Sequence, residues 1–265
     1  MTYNYILLII LITILLFLIG YNYKERSRNK NIIVKEKLYN INRNIVMVVA
    51  RYNEDLSWLK KDPFINYKSI VYNKGINDNF VLYNVIKTIN LKNVGRCDHT
   101  YLYHIITNYD NLADITIFLP GSVNMNDKMI KATNLFKALE KHNNSIFIAT
   151  ITSSNIKEEL YDFQLDEWVS SDKMNTVINN ESKLELAPIR PFGKWYEDKF
   201  PNIVIQHVTY GGILCIAKHH ILQHSKEYYM NLIKELENSS NPEVGHYIER
   251  SWEAIFYPMN GAIII

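Results

Sequence analysis

The chain has 265 residues, 48% of them hydrophobic and 21% charged, with a formal net charge of +2. That is room for one large domain or a cramped pair with a real core, and it excludes a disordered protein, a collagen-like chain and a disulfide-dense scaffold. The balance of charge lacks the strongly basic field of nucleic-acid binders, so no nucleic-acid partner is expected.

Residues 1–23 read as a transmembrane anchor. Ile6 to Ile19 are apolar apart from Thr13, with Tyr3, Tyr5, Tyr21 and Tyr23 at the flanks. As a helix the uncharged stretch 3–23 would span about 31 Å, and the tyrosines would fall at the interfaces. A cleaved signal peptide would need a basic start and a small-residue cleavage site, and neither is present. Residues 24–43 are a basic juxtamembrane linker carrying Lys24, Arg26, Arg28, Lys30, Lys35 and Lys37. The positive-inside rule then places the following domain in the cytosol, with a lumenal domain as the alternative. The linker suits anionic lipid headgroups. Cys97 and Cys215 are expected as free thiols.

Residues 44–258 read as a single α/β domain, followed by a tail over 259–265. Ile45 to Ala50 is a continuous apolar run, the mark of a strand buried on both faces. Further strands are expected at 69–72, 115–119, 146–149 and 211–217. Helices are expected at 98–109, 128–141, 221–236 and 243–256. Residues 153–200 read as an excursion over a site. Strands alternating with helices argue for a mostly parallel sheet with flanking helices. The Asn-x-Ser/Thr triplets at Asn143, Asn180 and Asn238 are no more than chance supplies in so Asn-rich a chain.

In such a sheet ligands sit outside the carboxyl ends of strands. The first strand ends in Ala50-Arg51-Tyr52-Asn53-Glu54-Asp55, a polar burst that is a site candidate or else a solvated, capping loop. Beyond the linker, Arg51, Arg96, Arg190 and Arg250 stand out in a Lys-rich chain. Arg holds phosphate or carboxylate bidentately, where Lys acts as a point charge. His246 and Glu249 are i,i+3 and share a helix face. Glu249 can serve as a general base, while His246 has a purely structural reading too. His220 and His224, at i,i+4, read as a solvated face rather than a metal pair. No Walker A, Cys-x-x-Cys, His-Glu-x-x-His or Gly-x-Ser-x-Gly pattern occurs.

The segment ending the first strand, Val49 to Glu54 (Val-x-x-Tyr-Asn-Glu), together with Asn93-Val94-Gly95-Arg96 and the strand 115–119, resembles the nucleotide-sugar glycosyltransferases of the GT-A type. More closely, the chain resembles a family of uncharacterised, glycosyltransferase-like proteins with members in fungi and large DNA viruses. That resemblance runs through residues 49–59, 93–96, 101–118, 190–196 (Arg-Pro-Phe-Gly-Lys-Trp-Tyr), 210–213 and 241–252. It implies a GT-A-like (Rossmann-like) fold and transfer of a sugar from a nucleotide-sugar to a glycan or lipid acceptor. In a viral setting the membrane would be that of host or virion. Where metal-dependent members of the GT-A type carry Asp-x-Asp, this chain has Pro120-Gly121-Ser122. No cofactor and no metal site is therefore expected, and charge neutralisation falls to Arg and Lys. The expected substrate-binding residues are Arg51, Asn53, Glu54, Asp55, Gly95, Arg96, Arg190, Lys194, Trp195, Gly211, Gly212, His246 and Arg250, with Glu249 catalytic. The alternatives are a non-catalytic sugar- or protein-binding module of the same fold, and a hydrolase using Glu54, Asp55 and Glu249.

Overall fold

The computed structural model describes residues 20–22, 24–25, 43–169 and 183–265. The expected anchor over 1–23 and linker over 24–43 lie almost wholly outside the described residues. Among the described residues no helix is long and apolar enough to cross a membrane. Residues Asn44–Ile265 pack as one unit.

The strands are β1 (Ile45–Arg51), β2 (Lys68–Asn73), β3 (Val85–Asn90), β4 (Ile115–Pro120), β5 (Ile146–Phe147), β6 (Ile151–Thr152), β7 (His207–Val208), β8 (Leu214–Ala217) and β9 (Ile263–Ile264). The helices are α1 (Arg96–Thr107), α2 (Asn126–Leu139), α3 (Ile156–Glu159), α4 (Phe192–Lys199), α5 (Lys218–Ile221), α6 (Lys226–Ile233), α7 (Glu243–Arg250) and α8 (Trp252–Ile255). Seven strands form one sheet in the order β3-β2-β1-β4-β8-β5-β9. The pairs from β3 to β4 are parallel, β8 runs antiparallel to both β4 and β5, and β9 is parallel to β5. β6 and β7 make a separate antiparallel pair.

The apolar run of β1 is explained by cores on both faces. Val46 and Val48 join α1, α6, α7 and α8 on one side, where Tyr101, Ile105, Tyr229, Tyr247 and Trp252 are buried. Met47 and Val49 face the other side, against Leu135, Phe136 and Leu139 of α2 and against Trp58 and Phe64. Alternate residues of one strand thus serve two cores, which requires β-branched or apolar side chains throughout.

Several expected elements differ. The strand expected from 211 begins at Leu214, because Gly211 and Gly212 have φ of 94° and 67° and cannot continue a pleat. The helix expected over 221–236 is broken, and Ser225 caps α6 by accepting the Tyr228 amide. The helix expected over 243–256 breaks at Ser251, whose hydroxyl donates to the Tyr247 carbonyl at 2.9 Å. β3 was not expected. It is a mostly exposed edge strand, with neither alternation nor an apolar run to mark it. Residues 259–265, read as a tail, contain β9.

Candidate functional site

From β1 the chain moves outward to β2 and β3, then returns to place β4 on the other side of β1. The carboxyl ends of β1 and β4 therefore flank a topological switch point, where parallel sheets open a crevice. A cleft of about 470 Å³ lies there. Its walls come from the end of β1 (Arg51, Glu54), Lys74 after β2, the start of α1 (Arg96, Asp98), Ser122 and Lys128 after β4, Trp168, Tyr210 and Gly211 before β8, and α7 (His246, Glu249, Arg250).

The start of α1 is unusual. Gly95 and Arg96 both have left-handed backbones, with φ of 57° and 53°. Glycine adopts this freely, and a Cβ at Gly95 would lie 2.5 Å from that of Leu236. Arginine does so rarely, and such strain persists only where surrounding contacts enforce it. Here the buried Lys74 ammonium donates to the Val94 carbonyl at 2.6 Å and also to the Arg96 carbonyl. The Arg96 guanidinium lies 3.6 Å over the Trp168 ring and donates to Asn241 Oδ1 at 3.2 Å. Burial pushes Lys74 down to about 7.

Arg250 is cradled in a similar way. Its guanidinium lies 3.6 Å over the Phe163 ring and 4.9 Å from that of Tyr210. One terminal nitrogen donates to the His246 carbonyl at 2.8 Å, and Nε is buried without a hydrogen-bond partner among the described residues. Lys128 Nζ donates to Ser122 Oγ at 2.7 Å. Arg96, Arg250 and Lys128 are thus cations in the cleft, none of them in a salt bridge among the described residues.

Besides Glu54, two carboxylates line the same cleft. Glu249 Oε1 accepts the Gly211 amide at 2.9 Å. Asp98 Oδ1 accepts Trp252 Nε1 at 3.1 Å, and its other oxygen lies 3.7 Å from Cys97 Sγ. Burial, and then the charge of Glu249, push Asp98 well above the usual carboxylate range.

The cleft gathers Arg51, Glu54, Arg96, Gly211, His246, Glu249 and Arg250 of the expected residues. Arg51, however, is committed. Its guanidinium donates to the Glu54 carbonyl (2.8 Å), Asn73 Oδ1 (2.6 Å), and the carbonyl (2.7 Å) and Oδ1 (2.8 Å) of Asn77. It fastens the loops after β1 and β2 and is not an anion holder. Glu54 folds back to accept the Tyr52 and Asn53 amides at 2.7 and 3.1 Å. Its carboxylate crowds Gly121, where a Cβ would lie 2.6 Å from Oε2. Pro120-Gly121-Ser122 therefore has a steric reason, since position 121 holds no side chain.

The other expected residues lie outside the cleft lining. Asp55 is exposed and accepts the Ser57 amide. Asn53 is buried beside the cleft, its amide atoms without partners among the described residues. Gly95 shapes the start of α1, and Gly212 packs against Cys97, with Tyr101 donating to its carbonyl at 2.7 Å. Arg190 pairs with the buried Glu243 at 2.9 Å. Trp195 is core, donating to Glu235 at 2.8 Å, and Lys194 is exposed. The segment 190–196 is structural here, so the expected substrate-binding role of Arg190, Lys194 and Trp195 is corrected. His220 and His224 form no solvated pair. His220 is buried, bonded to Ser145 and Asn260, and His224 reaches the Tyr257 carbonyl.

Sequence reasoning missed Lys74, Asp98 and Lys128, whereas Trp168, part of the excursion expected over a site, does line the cleft. Lys is too common in this chain for its placement to draw notice. The one available signal for Asp98 was a carboxylate in the first turn after Gly95-Arg96. Among the described residues no group of three or more His, Cys, Asp or Glu is placed to hold a metal ion.

A family model described as "Protein of unknown function (DUF3431)" matches residues 46–262. No curated protein matches the chain.

Proposed function

The chain belongs to the DUF3431 family, and from the chemistry of its cleft we propose that it is a GT-A-like glycosyltransferase, anchored to a membrane by residues 3–23, that takes a nucleotide-sugar donor. The observation that carries this reading is one crevice at the switch point holding Arg96, Lys128 and Arg250 together with Glu249. The cations suit a leaving nucleoside diphosphate, a task that falls to side chains because Pro120-Gly121-Ser122 offers no carboxylate. Glu249 is oriented through one oxygen by the Gly211 amide, leaving the other for an acceptor hydroxyl. In the transfer the carboxylate takes the hydroxyl proton, the acceptor oxygen bonds to the anomeric carbon, and the bond from that carbon to the diphosphate oxygen breaks.

The test is thermal shift with uridine and guanosine diphosphates, with and without Mn²⁺, followed by diphosphate release from sugar nucleotides. Glu249→Gln should lower release by about 10²- to 10⁴-fold while leaving nucleotide binding intact. Pro120-Gly121-Ser122 also favours a second reading, a non-catalytic module of the same fold. Binding without release in the wild-type chain would establish that module, and silence across the nucleotide panel would sink the donor assignment.

A further inference from the structure

His246 is 8% exposed, lines the cleft, and its Nε2 has no hydrogen-bond partner among the described residues. A buried polar atom left in this way is costly unless a ligand or water completes it. The ring packs 5.1 Å from that of Trp168, over which the Arg96 guanidinium lies, and Arg250 donates to the His246 backbone carbonyl. Arg250 Nε is likewise buried with no hydrogen-bond partner among the described residues.

We propose that this corner of the cleft is a hydroxyl-reading subsite beside a phosphate site, so that the ligand is a phosphate ester whose carbon skeleton carries a hydroxyl near the phosphate. The inference rests on the anion-holding part of the glycosyltransferase reading and not on transfer.

The environment of His246 and the chemistry of imidazole select this ligand. Burial, then the charges of Arg96 and Arg250, push His246 down to about 3, so its imidazole is neutral at physiological pH. A neutral imidazole offers one donor and one acceptor, and a hydroxyl satisfies Nε2 in either tautomer. A phosphate or carboxylate oxygen would satisfy only the protonated nitrogen, while an ammonium group would meet the field of two guanidinium groups. The phosphate itself belongs with the guanidinium donors, including the open Nε of Arg250.

The test compares inorganic diphosphate, methyl phosphate, hexose 1-phosphates and nucleotide-sugars by calorimetric titration of the full chain. Wild type should bind the hydroxylated esters at least tenfold tighter than methyl phosphate. His246→Phe keeps an aromatic ring and should erase that margin, a loss of roughly ten- to hundredfold, with diphosphate affinity held within about twofold. His246→Asn restores a donor and an acceptor and should recover part of the margin. A margin unchanged in His246→Phe overturns the subsite alone, as does an equal loss for diphosphate and hydroxylated esters in both variants. If no phosphate compound binds the wild type, the subsite and the anion site fall together. Loss of turnover with binding intact touches the transfer reading alone.

Discussion

Asp98 sits where burial and the neighbouring Glu249 both resist its charge. Folding therefore favours its protonated form. Below the ordinary carboxylate range folded and unfolded chains are equally protonated, and the residue contributes no pH dependence. As pH rises from about 4 the unfolded chain ionises first, and stability is lost up to the raised folded value. Lys74 carries the opposite slope, because its lowered folded value means stability rises from about 7 towards the unfolded range of Lys. The two are separated by comparing pH 4.5 with pH 6.5, before Lys74 has largely changed state. Asp98→Asn keeps an oxygen for Trp252 and cannot ionise, so its melting temperature should fall less than wild type's across that interval. Parallel pH dependences in the two chains would show that Asp98 ionises freely. Arg51 carries a second lesson at this scale. Its rarity in a Lys-rich chain marked it, yet rarity reports a need for a guanidinium and is silent on whether the partner is a ligand or a loop carbonyl.

Among the elements, α7 is the best tied. Glu243 in its first turn is fully buried and accepts the Leu165 amide, the Ala187 amide, the Tyr247 hydroxyl and Arg190. This fastens the irregular segment around residue 165, and the same segment supplies Phe163 and Trp168 as the surfaces under Arg250 and Arg96. Removing one partner of a buried ion pair leaves the other unpaired, so Glu243→Ala should cost about 3–5 kcal/mol in urea unfolding. A cost under about 1 kcal/mol would show that the pair is dispensable. The first, second and fourth strands and the two long helices α1 and α2 were legible because each is a buried apolar run or a clear 3.6-residue stripe. What escaped were elements defined by partners. β3 exists because β2 has a free edge, and β9 because β5 does. The breaks at Ser225 and Ser251 follow from hydroxyls that compete for the backbone, a local contest that periodicity does not register.

For the whole molecule, the unit Asn44–Ile265 carries both cores and the cleft. A chain starting at Asn44 should fold and bind nucleotide with the affinity of the full chain. The full chain should float with vesicles and resist alkaline extraction, and release by alkali would remove the proposed anchor. At this scale the mostly parallel layout was legible from alternating strands and helices. The cleft was legible from Arg96 at the start of α1 and from Glu249 and Arg250 at the end of α7, two polar segments at element ends. Its electrostatics were not, since the raised value of Asp98 follows from burial and from Glu249, a residue more than a hundred positions away in the chain.

The reversal of β8 has a consequence for engineering. Because this strand runs against β4, with Leu214 beside Phe118, its beginning and not its end lies at the crevice rim. Extra residues spliced ahead of Ile213 would intrude on the opening and alter what it admits. A peptide tag or fused partner placed after Ala217 would emerge at the far rim beside Asp114, a location remote from any bound ligand.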